Sequence, residues 1–537
     1  MASTVVEVVP SSKTLLDTRW QKPSGRVGTW VFLVALVCGT SYVGVHLAHD
    51  LRSVAVTSLW PYLLLGTALA IALGFEFVNG FHDTANAVAT VIYTNSLSPR
   101  TAVVLSGLCN LTGVLLSSGT VAFAVVTLLP VELILKVSSG AGFSMIFALL
   151  VAAILWNLGT WYLGLPASSS HTLVGSIIGV GLANQFMSPH LGASGLDWAQ
   201  VIKVLKALLI SPLLGFALAG VLILLSKRLM PSGWLYRAPQ DNLPPPWPVR
   251  ALMIGTCTGV SFFHGSNDGQ KGMGLIMLIL IGTVPTAYAL NHAVGPTEAQ
   301  SFLVASTETS QVLERYVKAN ADPDPDPRAE ITKYLHAGKL AEGTLPAMQT
   351  MVNELEREVA EYRALEAVPA TDQSNIRNDM YLTSEALRLM LKNGDPGFTR
   401  DEALTVRGYQ TKLDKSTKYI PNWVKVAVAL ALGLGTMVGW KRIVVTIGEK
   451  IGKEHLTYAQ GASAGLVTMA TIFAADTWGL PVSTTHILSS GVAGTMAANG
   501  SGLRLSTVRN IAAGWVFTLP AAAVLSGVLY FVFHSIL

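Results

Sequence analysis

Charge is scarce in this chain: Asp, Glu, Lys and Arg make up 13% of its 537 residues, roughly half the share of a soluble protein. Hydrophobic residues make up 51%, so a water-exposed multidomain protein is excluded and a polytopic membrane protein is implied. Cysteine is scarcer still. Cys38, Cys109 and Cys257 lie far apart in apolar sequence, which excludes a disulfide framework and a cysteine-built metal or redox centre. Heptads, solenoid periods and nucleic-acid motifs are absent. The first 28 residues are polar, with Lys13, Arg19, Lys22 and Arg26, and no small-residue cleavage site follows them. The first apolar run is therefore expected to stay as a helix rather than leave with a signal peptide.

What is present is a series of apolar runs, several long enough to cross about 30 Å of hydrocarbon. They fall near 29–47, 61–78, 102–129, 143–163, 204–225, 251–263, 273–290, 423–440, 466–478 and 511–533. Runs at 172–182 and 487–496 are too short to cross unaided. Between 294 and 420 the composition changes. Most acidic residues gather there, with an Asp-Pro repeat over 322–327 and apolar residues at helical spacing, such as Met348, Met351, Val352 and Leu355. The chain thus divides into a polar segment at 1–28, an extra N-terminal membrane helix at 29–50, a first membrane part at 51–293, a mostly helical cytoplasmic insertion at 294–420 and a second membrane part at 421–537. Loops carrying Lys227, Arg228, Arg237, Arg250, Lys441, Arg442, Lys450 and Lys453 are expected to face the cytoplasm.

Two short phrases occur twice, in the same order. The first copy reads Gly80-Phe81-His82-Asp83-Thr84-Ala85-Asn86 and later Gly164-Leu165-Pro166-Ala167-Ser168-Ser169-Ser170-His171. The second reads Gly265-Ser266-Asn267-Asp268-Gly269-Gln270-Lys271 and later Gly479-Leu480-Pro481-Val482-Ser483-Thr484-Thr485-His486. A carboxylate inside a membrane is costly, so Glu76, Asp83 and Asp268 must each meet a partner, an ion or a water-filled cavity. Gly80 and Gly265, just before the two aspartates, suit helices that break at mid-depth. Gly-Leu-Pro stops or redirects the chain, and the hydroxyl residues after it suit the first turn of a new helix, where free N–H groups and the helix dipole favour an anion. Duplicated interruptions are what a transporter built of two repeats places at its centre. The anion must be small and rich in acceptors; phosphate fits, with sulfate as its rival. His171, His264 and His486 are read as histidines that hydrogen-bond neighbouring helices, and no protein-supplied metal cage is legible.

These residues resemble the inorganic phosphate transporter (Pit) family, in particular its bacterial proton-coupled members. The likeness extends to Trp156-Asn157-Leu158-Gly159-Thr160-Trp161, Gly272-Met273-Gly274, Gly448-Glu449-Lys450-Ile451-Gly452-Lys453 and Trp515-Val516-Phe517-Thr518-Leu519-Pro520. It covers both membrane parts and fades in the insertion and the first 50 residues.

The resemblance implies an all-α polytopic membrane protein with two inverted repeats, broken helices and two helical hairpins around a central site. It also implies a homodimer of the inner (cytoplasmic) membrane that imports phosphate by cation symport with alternating access. Carried onto matching positions, it makes Ser168, Ser169, Ser170, Ser483, Thr484, Thr485, Asn86 and Asn267 phosphate-binding residues, beside Lys271. Asp83 and Asp268 become coupling residues, with Glu76 and His82 as further proton carriers. No catalytic residue, cofactor or resident metal is expected. Magnesium or another divalent metal would travel only as a complex with the substrate.

Departures bear on the coupling ion. Sodium-coupled members carry Asn-Asp in both copies, whereas His82 precedes Asp83 here, and Lys271 stands where the first copy has Asn86. Sodium wants oxygen ligands, imidazole titrates near neutrality and an ammonium takes the place of a cation. Proton coupling is expected, with sodium coupling or a non-transporting phosphate sensor as the alternatives. An intramembrane hydrolase using Ser170, His171 and Asp83 would leave the duplication unexplained, so no enzyme is expected.

Overall fold

The computed structural model describes residues 26–53, 59–128, 140–187, 196, 198–239, 243–291, 294–317, 326–362 and 365–536. The chain is all-α, with no β-strand among the described residues. Its first helices are α1 (Arg26–Asp50), α2 (Trp60–Tyr93), α3 (Pro99–Leu116), α4 (Thr120–Val126), α5 (Gly140–Tyr162), α6 (Ser169–Met187), α7 (Trp198–Leu229) and α8 (Trp247–Thr283). The insertion supplies α9 (Pro296–Glu314), α10 (Pro327–Ala337), α11 (Thr344–Tyr362), α12 (Ala370–Asn393) and α13 (Arg400–Thr417). The chain then returns through α14 (Asn422–Thr436), α15 (Lys441–Val445), α16 (Tyr458–Thr477), α17 (Thr484–Asn499) and α18 (Leu505–Ile536).

Segments Gly28–Asp50, Tyr62–Tyr93, Pro99–Leu116, Gly142–Tyr162, Gln200–Leu229 and Leu505–Ile536 are long and apolar enough to cross a membrane. A seventh candidate is Asn422–Thr436 with Lys441–Lys450, bent by 56° at the break. α7 and α18 turn apolar side chains such as Leu209, Leu213, Val516 and Val524 outward, as lipid-facing helices do.

The two aspartate phrases do not break their helices. α2 runs through Gly80 and α8 through Gly265 without interruption. The apolar runs at 251–263 and 273–290 are therefore largely one helix, whose polar middle interrupts the hydropathy and not the backbone. The glycines serve close packing instead. A Cβ at Gly80 would lie 2.2 Å from the Leu432 carbonyl oxygen of α14, and one at Gly265 would lie 2.2 Å from the Asn110 carbonyl oxygen of α3. The partner helices return the contact, Gly435 against Phe77 and Gly113 against Phe262. Small residues let helix backbones touch where lipid supplies no hydrophobic drive.

This packing occurs in duplicate across the membrane body. α2 packs on α14 and α5, while α8 packs on α3 and α16; α6 lies along α18, while α17 lies along α7. Gly175 and Gly179 meet α18 backbone at Leu519 and Ala523, and Gly215 and Gly494 draw α7 and α17 together in the same way.

True breaks fall at the hydroxyl phrases. α5 ends at Gly164 (φ 68°) and α16 at Gly479 (φ 63°). Leu165 N–H donates to the Thr160 carbonyl and Leu480 N–H to the Ala475 carbonyl, the closing bonds of a glycine C-cap. Proline follows, and a new helix starts three residues later.

The insertion has its own core. Leu313, Met348, Met351, Val352, Leu355, Met380, Leu387, Val406, Tyr409 and Leu413 are buried together. Of the Asp-Pro run, Asp322 to Pro325 lie outside the described residues, while Asp326 caps α10 by accepting from Ala329 N–H. The insertion joins the membrane body beside Asp50, whose carboxylate accepts from Tyr288 Oη at 2.6 Å and Trp423 Nε1 at 3.1 Å.

Candidate functional site

Ser168 and Ser483 occupy matching places. The Ser168 hydroxyl accepts from His171 N–H at 3.2 Å, and the Ser483 hydroxyl accepts from His486 N–H at 3.1 Å. Both are helix caps, so the next two residues of each phrase, Ser169 and Ser170 or Thr484 and Thr485, lie in the first turns of α6 and α17. All six are buried.

The two phrases and the two aspartate helices meet at one place. Ser169 Oγ donates to Asp83 Oδ2 at 2.8 Å and lies 3.4 Å from Asp268 Oδ2. From the opposite phrase, the Thr485 hydroxyl donates to Asp83 Oδ1. Lys271 Nζ is 2.5 Å from Asp268 Oδ1 and 2.5 Å from Ser170 Oγ, and Ser170 Oγ donates to the Val482 carbonyl at 2.8 Å. Asn267 Nδ2 donates to the Leu480 carbonyl at 3.1 Å. Asp83, Asp268, Asn267 and Lys271 are all buried. Thr484 Oγ1 has no hydrogen-bond partner among the described residues. Asn86 lies in α2, and its side chain is outside the described residues.

Around this centre sit histidines and a third acid. His82 Nδ1 is 3.3 Å from Asp83 Oδ1, and its Nε2 is 3.2 Å from Thr160 Oγ1. The His171 and His486 rings are 4.4 Å apart, and His486 stacks on Trp515 at 4.2 Å. Trp515 Nε1 donates to the Pro166 carbonyl at 2.9 Å, which locks one phrase to the other. Glu76 is buried about two helical turns before Asp83 in α2, and neither of its carboxylate oxygens has a hydrogen-bond partner among the described residues.

His264 holds a more central place than the sequence suggested. Its Nδ1 meets Asn110 Oδ1 at 2.9 Å, a hydrogen bond to a neighbouring helix. Its Nε2, however, points between the carboxylates, 3.8 Å from Asp83 Oδ2 and 3.6 Å from Asp268 Oδ2. Asp83, His264 and Asp268 offer ligand atoms within 4.8 Å of one another, close enough to share one small cation, a proton included. No single motif contains this set, because it joins α2 to α8. Asn110 and Thr436, hydrogen-bonded at 2.9 Å behind His264, were missed altogether; each is a lone polar residue in an apolar helix. Asp476 was also missed. It accepts from Ser266 Oγ at 2.7 Å and from Gln270 Nε2 at 2.9 Å beside the second phrase.

Donors and carboxylates thus converge from four helix segments on one buried spot. Hydroxyls that now donate to Asp83 can turn to an oxyanion once that carboxylate takes up positive charge.

The sequence profile of the phosphate transporter family matches residues 79–526. Low-affinity inorganic phosphate transporter PitA of Escherichia coli (strain K12) is 43% identical over 486 residues, covering 87% of this chain and 96% of PitA. Low-affinity inorganic phosphate transporter PitB of the same strain is 41% identical over 491 residues, covering 88% and 97%. A solved structure described as the sodium-dependent phosphate transporter is similar with a TM-score of 0.48 at 19% identity, covering 88% of this chain and 100% of that one.

Proposed function

Because the chain belongs to the phosphate transporter family, we propose that the buried centre binds inorganic phosphate and carries it through a membrane by proton symport. It is a transporter and not an enzyme. The observation that carries the reading is the meeting of both hydroxyl phrases on one carboxylate, Ser169 and Thr485 on Asp83. In this scheme Ser169, Ser170, Thr484 and Thr485 donate to the phosphate oxygens, with Lys271, Asn267 and Asn86 beside them. Protons sit on the Asp83, Asp268 and His264 cluster, with His82 and Glu76 as further carriers. Proton coupling is favoured over sodium because imidazole nitrogens and an ammonium occupy places where sodium would want oxygen.

Loading follows from electrostatics. A dianion entering a site with two carboxylates is repelled until those carboxylates are neutralised. Proton uptake therefore precedes or accompanies phosphate binding, and release of either favours release of the other. A divalent metal such as magnesium, travelling with the phosphate, would lower the same repulsion. Two inverted repeats, rocking about the shared centre, would expose it to each face in turn. A homodimer of the inner membrane is what the family resemblance implies for such a transporter.

Counterflow of labelled phosphate into proteoliposomes holding only this protein is the test. Wild type is expected to exchange phosphate and to concentrate it when an inward proton gradient is imposed. Asp83→Asn is expected to lose proton-driven accumulation while retaining the wild-type elution profile, and Asp268→Asn to lose it with a lowered melting temperature, because Lys271 is left without its partner. Uptake driven by sodium and indifferent to the proton gradient would overturn the coupling, and a folded wild type without counterflow would favour the sensor reading.

A further inference from the structure

We propose that a basic pocket at the mouth of the Gly164 phrase is a docking site for a phosphoryl anion, separate from the buried centre. The pocket has a volume of about 240 Å³ and is lined by Tyr162, Leu163, Gly164, Lys441, Arg442, Val445 and Lys450. Three of the lining residues are cations, and none is a carboxylate. Glu449, the nearest acid in sequence, is held elsewhere by Tyr93 Oη at 2.6 Å.

The pocket is built rather than incidental. Arg442 lies 5.0 Å from the Trp161 ring centre and 4.9 Å from that of Tyr162, and its Nη1 donates to the Tyr162 carbonyl at 2.6 Å. Thr446 Oγ1 donates to the Gly164 carbonyl at 2.8 Å, tying the cation-bearing turn to the mouth itself. A planar guanidinium held this way keeps its remaining donors in one orientation, which suits a phosphoryl oxygen pair. Behind Trp161 the ring of Phe81 packs at 5.2 Å, two residues before Asp83. The pocket therefore abuts the wall of the central site without being part of it.

The other mouth shows what is specific here. A Cβ at Gly164 would meet the Arg442 carbonyl at 3.9 Å, and one at Gly479 would meet the Thr120 carbonyl at 3.8 Å. Thr120 thus holds at the second mouth the place that Arg442 holds at the first. Gly119 precedes it where Lys441 precedes Arg442. The Phe81–Trp161 aromatic contact likewise has a polar counterpart, Ser266 bonded to Asp476. Among the described residues Lys441, Arg442 and Lys450 line a pocket at the first mouth, whereas Gly119 and Thr120 stand in the places of Lys441 and Arg442 at the second, beside which Asp476 lies, an asymmetry that the duplicated packing does not demand. Cations at a cleft raise the local concentration of anions.

That the docked anion then passes to the centre rests on the transport reading; the docking itself does not. The experiment separates the two by lysine-acylation footprinting of the intact protein in phosphatidylcholine liposomes. At fixed ionic strength, inorganic phosphate is expected to protect Lys441 and Lys450 several-fold relative to chloride, with Lys203 unaffected. Protection should persist in Asp83→Asn, where proton-driven accumulation is lost. A second arm replaces part of the lipid with phosphatidylglycerol and omits phosphate. Protection there identifies a lipid headgroup as the phosphoryl source, whereas protection only with added phosphate identifies the free ion. Equal protection by chloride and phosphate in both lipids, or protection that vanishes in Asp83→Asn, overturns the site. In wild type, the half-saturation for phosphate exchange from the face bearing Lys450 is expected to rise with salt. Lys441→Gln/Lys450→Gln should raise it at low salt, and Lys441→Arg/Lys450→Arg should restore it.

Discussion

Lys271 is the residue on which the site turns. Its ammonium sits 2.5 Å from Asp268 in a setting with almost no solvent exposure for either partner, so each charge is tolerable only because of the other. Breaking such a pair by removing one member costs about 3–5 kcal/mol, since a bare charge is left buried. Lys271→Met is therefore expected to lower stability by about that amount, and Lys271→Met/Asp268→Asn to recover most of it, as measured by thermal unfolding in detergent. Equal losses for the single and double variants would show that the lysine acts through packing. The sequence displayed Lys271 as an oddity of the second copy. It could not display Asp268 as its partner with the same force, because one helical turn of spacing allows the contact without requiring it.

At the scale of the helix, glycine decides how closely the motif-bearing elements approach. Gly265 and Gly80 face backbone carbonyls that cannot move aside, unlike a flexible side chain. Gly265→Ala and Gly80→Ala are each expected to cost about 1–3 kcal/mol or more through overpacking. The loss should appear as a lower melting temperature together with lost counterflow, while Gly255→Ala, with nothing within 4 Å, should leave both unchanged.

The insertion helices depend on charge in another way. Burial alone would raise the Glu385 carboxyl, but Lys418 at 3.0 Å and the neighbouring Arg388 outweigh it and hold it below the usual range. A depressed folded pKa stabilises above the unfolded value, near 4.3 for glutamate, and that contribution is lost as pH falls through the folded value. The stability gap between wild type and Glu385→Gln is therefore expected to be full at pH 7 and to close below about pH 4. Hydrogen exchange in α12 and α13 reads it directly.

For the whole molecule the decisive element is α8. Its 37 residues span about 55 Å, with Arg250 in the first turn donating to the Ser96 carbonyl and the far end leading into Tyr288 and the insertion. The basic loops and the insertion therefore hang on opposite ends of α8, although both were expected on the cytoplasmic face. With basic loops inside, and with α8 taken to cross as its counterpart α2 is long and apolar enough to do, the insertion is expected outside. Single cysteines, in a background without Cys38, Cys109 and Cys257, should react with an impermeant thiol reagent in intact cells for Lys339→Cys and only in inverted membrane vesicles for Ser232→Cys. Labelling from the same side would refute the placement.

Membrane residence, the all-α class, the helical insertion and the two duplicated phrases were determined by sequence alone, because hydrophobicity, helical periodicity and glycine-proline punctuation are local properties. Only the tertiary structure decided that the aspartate helices run unbroken, that Gly80 and Gly265 are packing contacts, and that His264 points between Asp83 and Asp268. Those outcomes depend on what lies across a helix interface. A lone Asn110, Thr436 or His264 reads the same in sequence whether it faces lipid, a neighbouring helix or the buried centre, until the fold sets its direction.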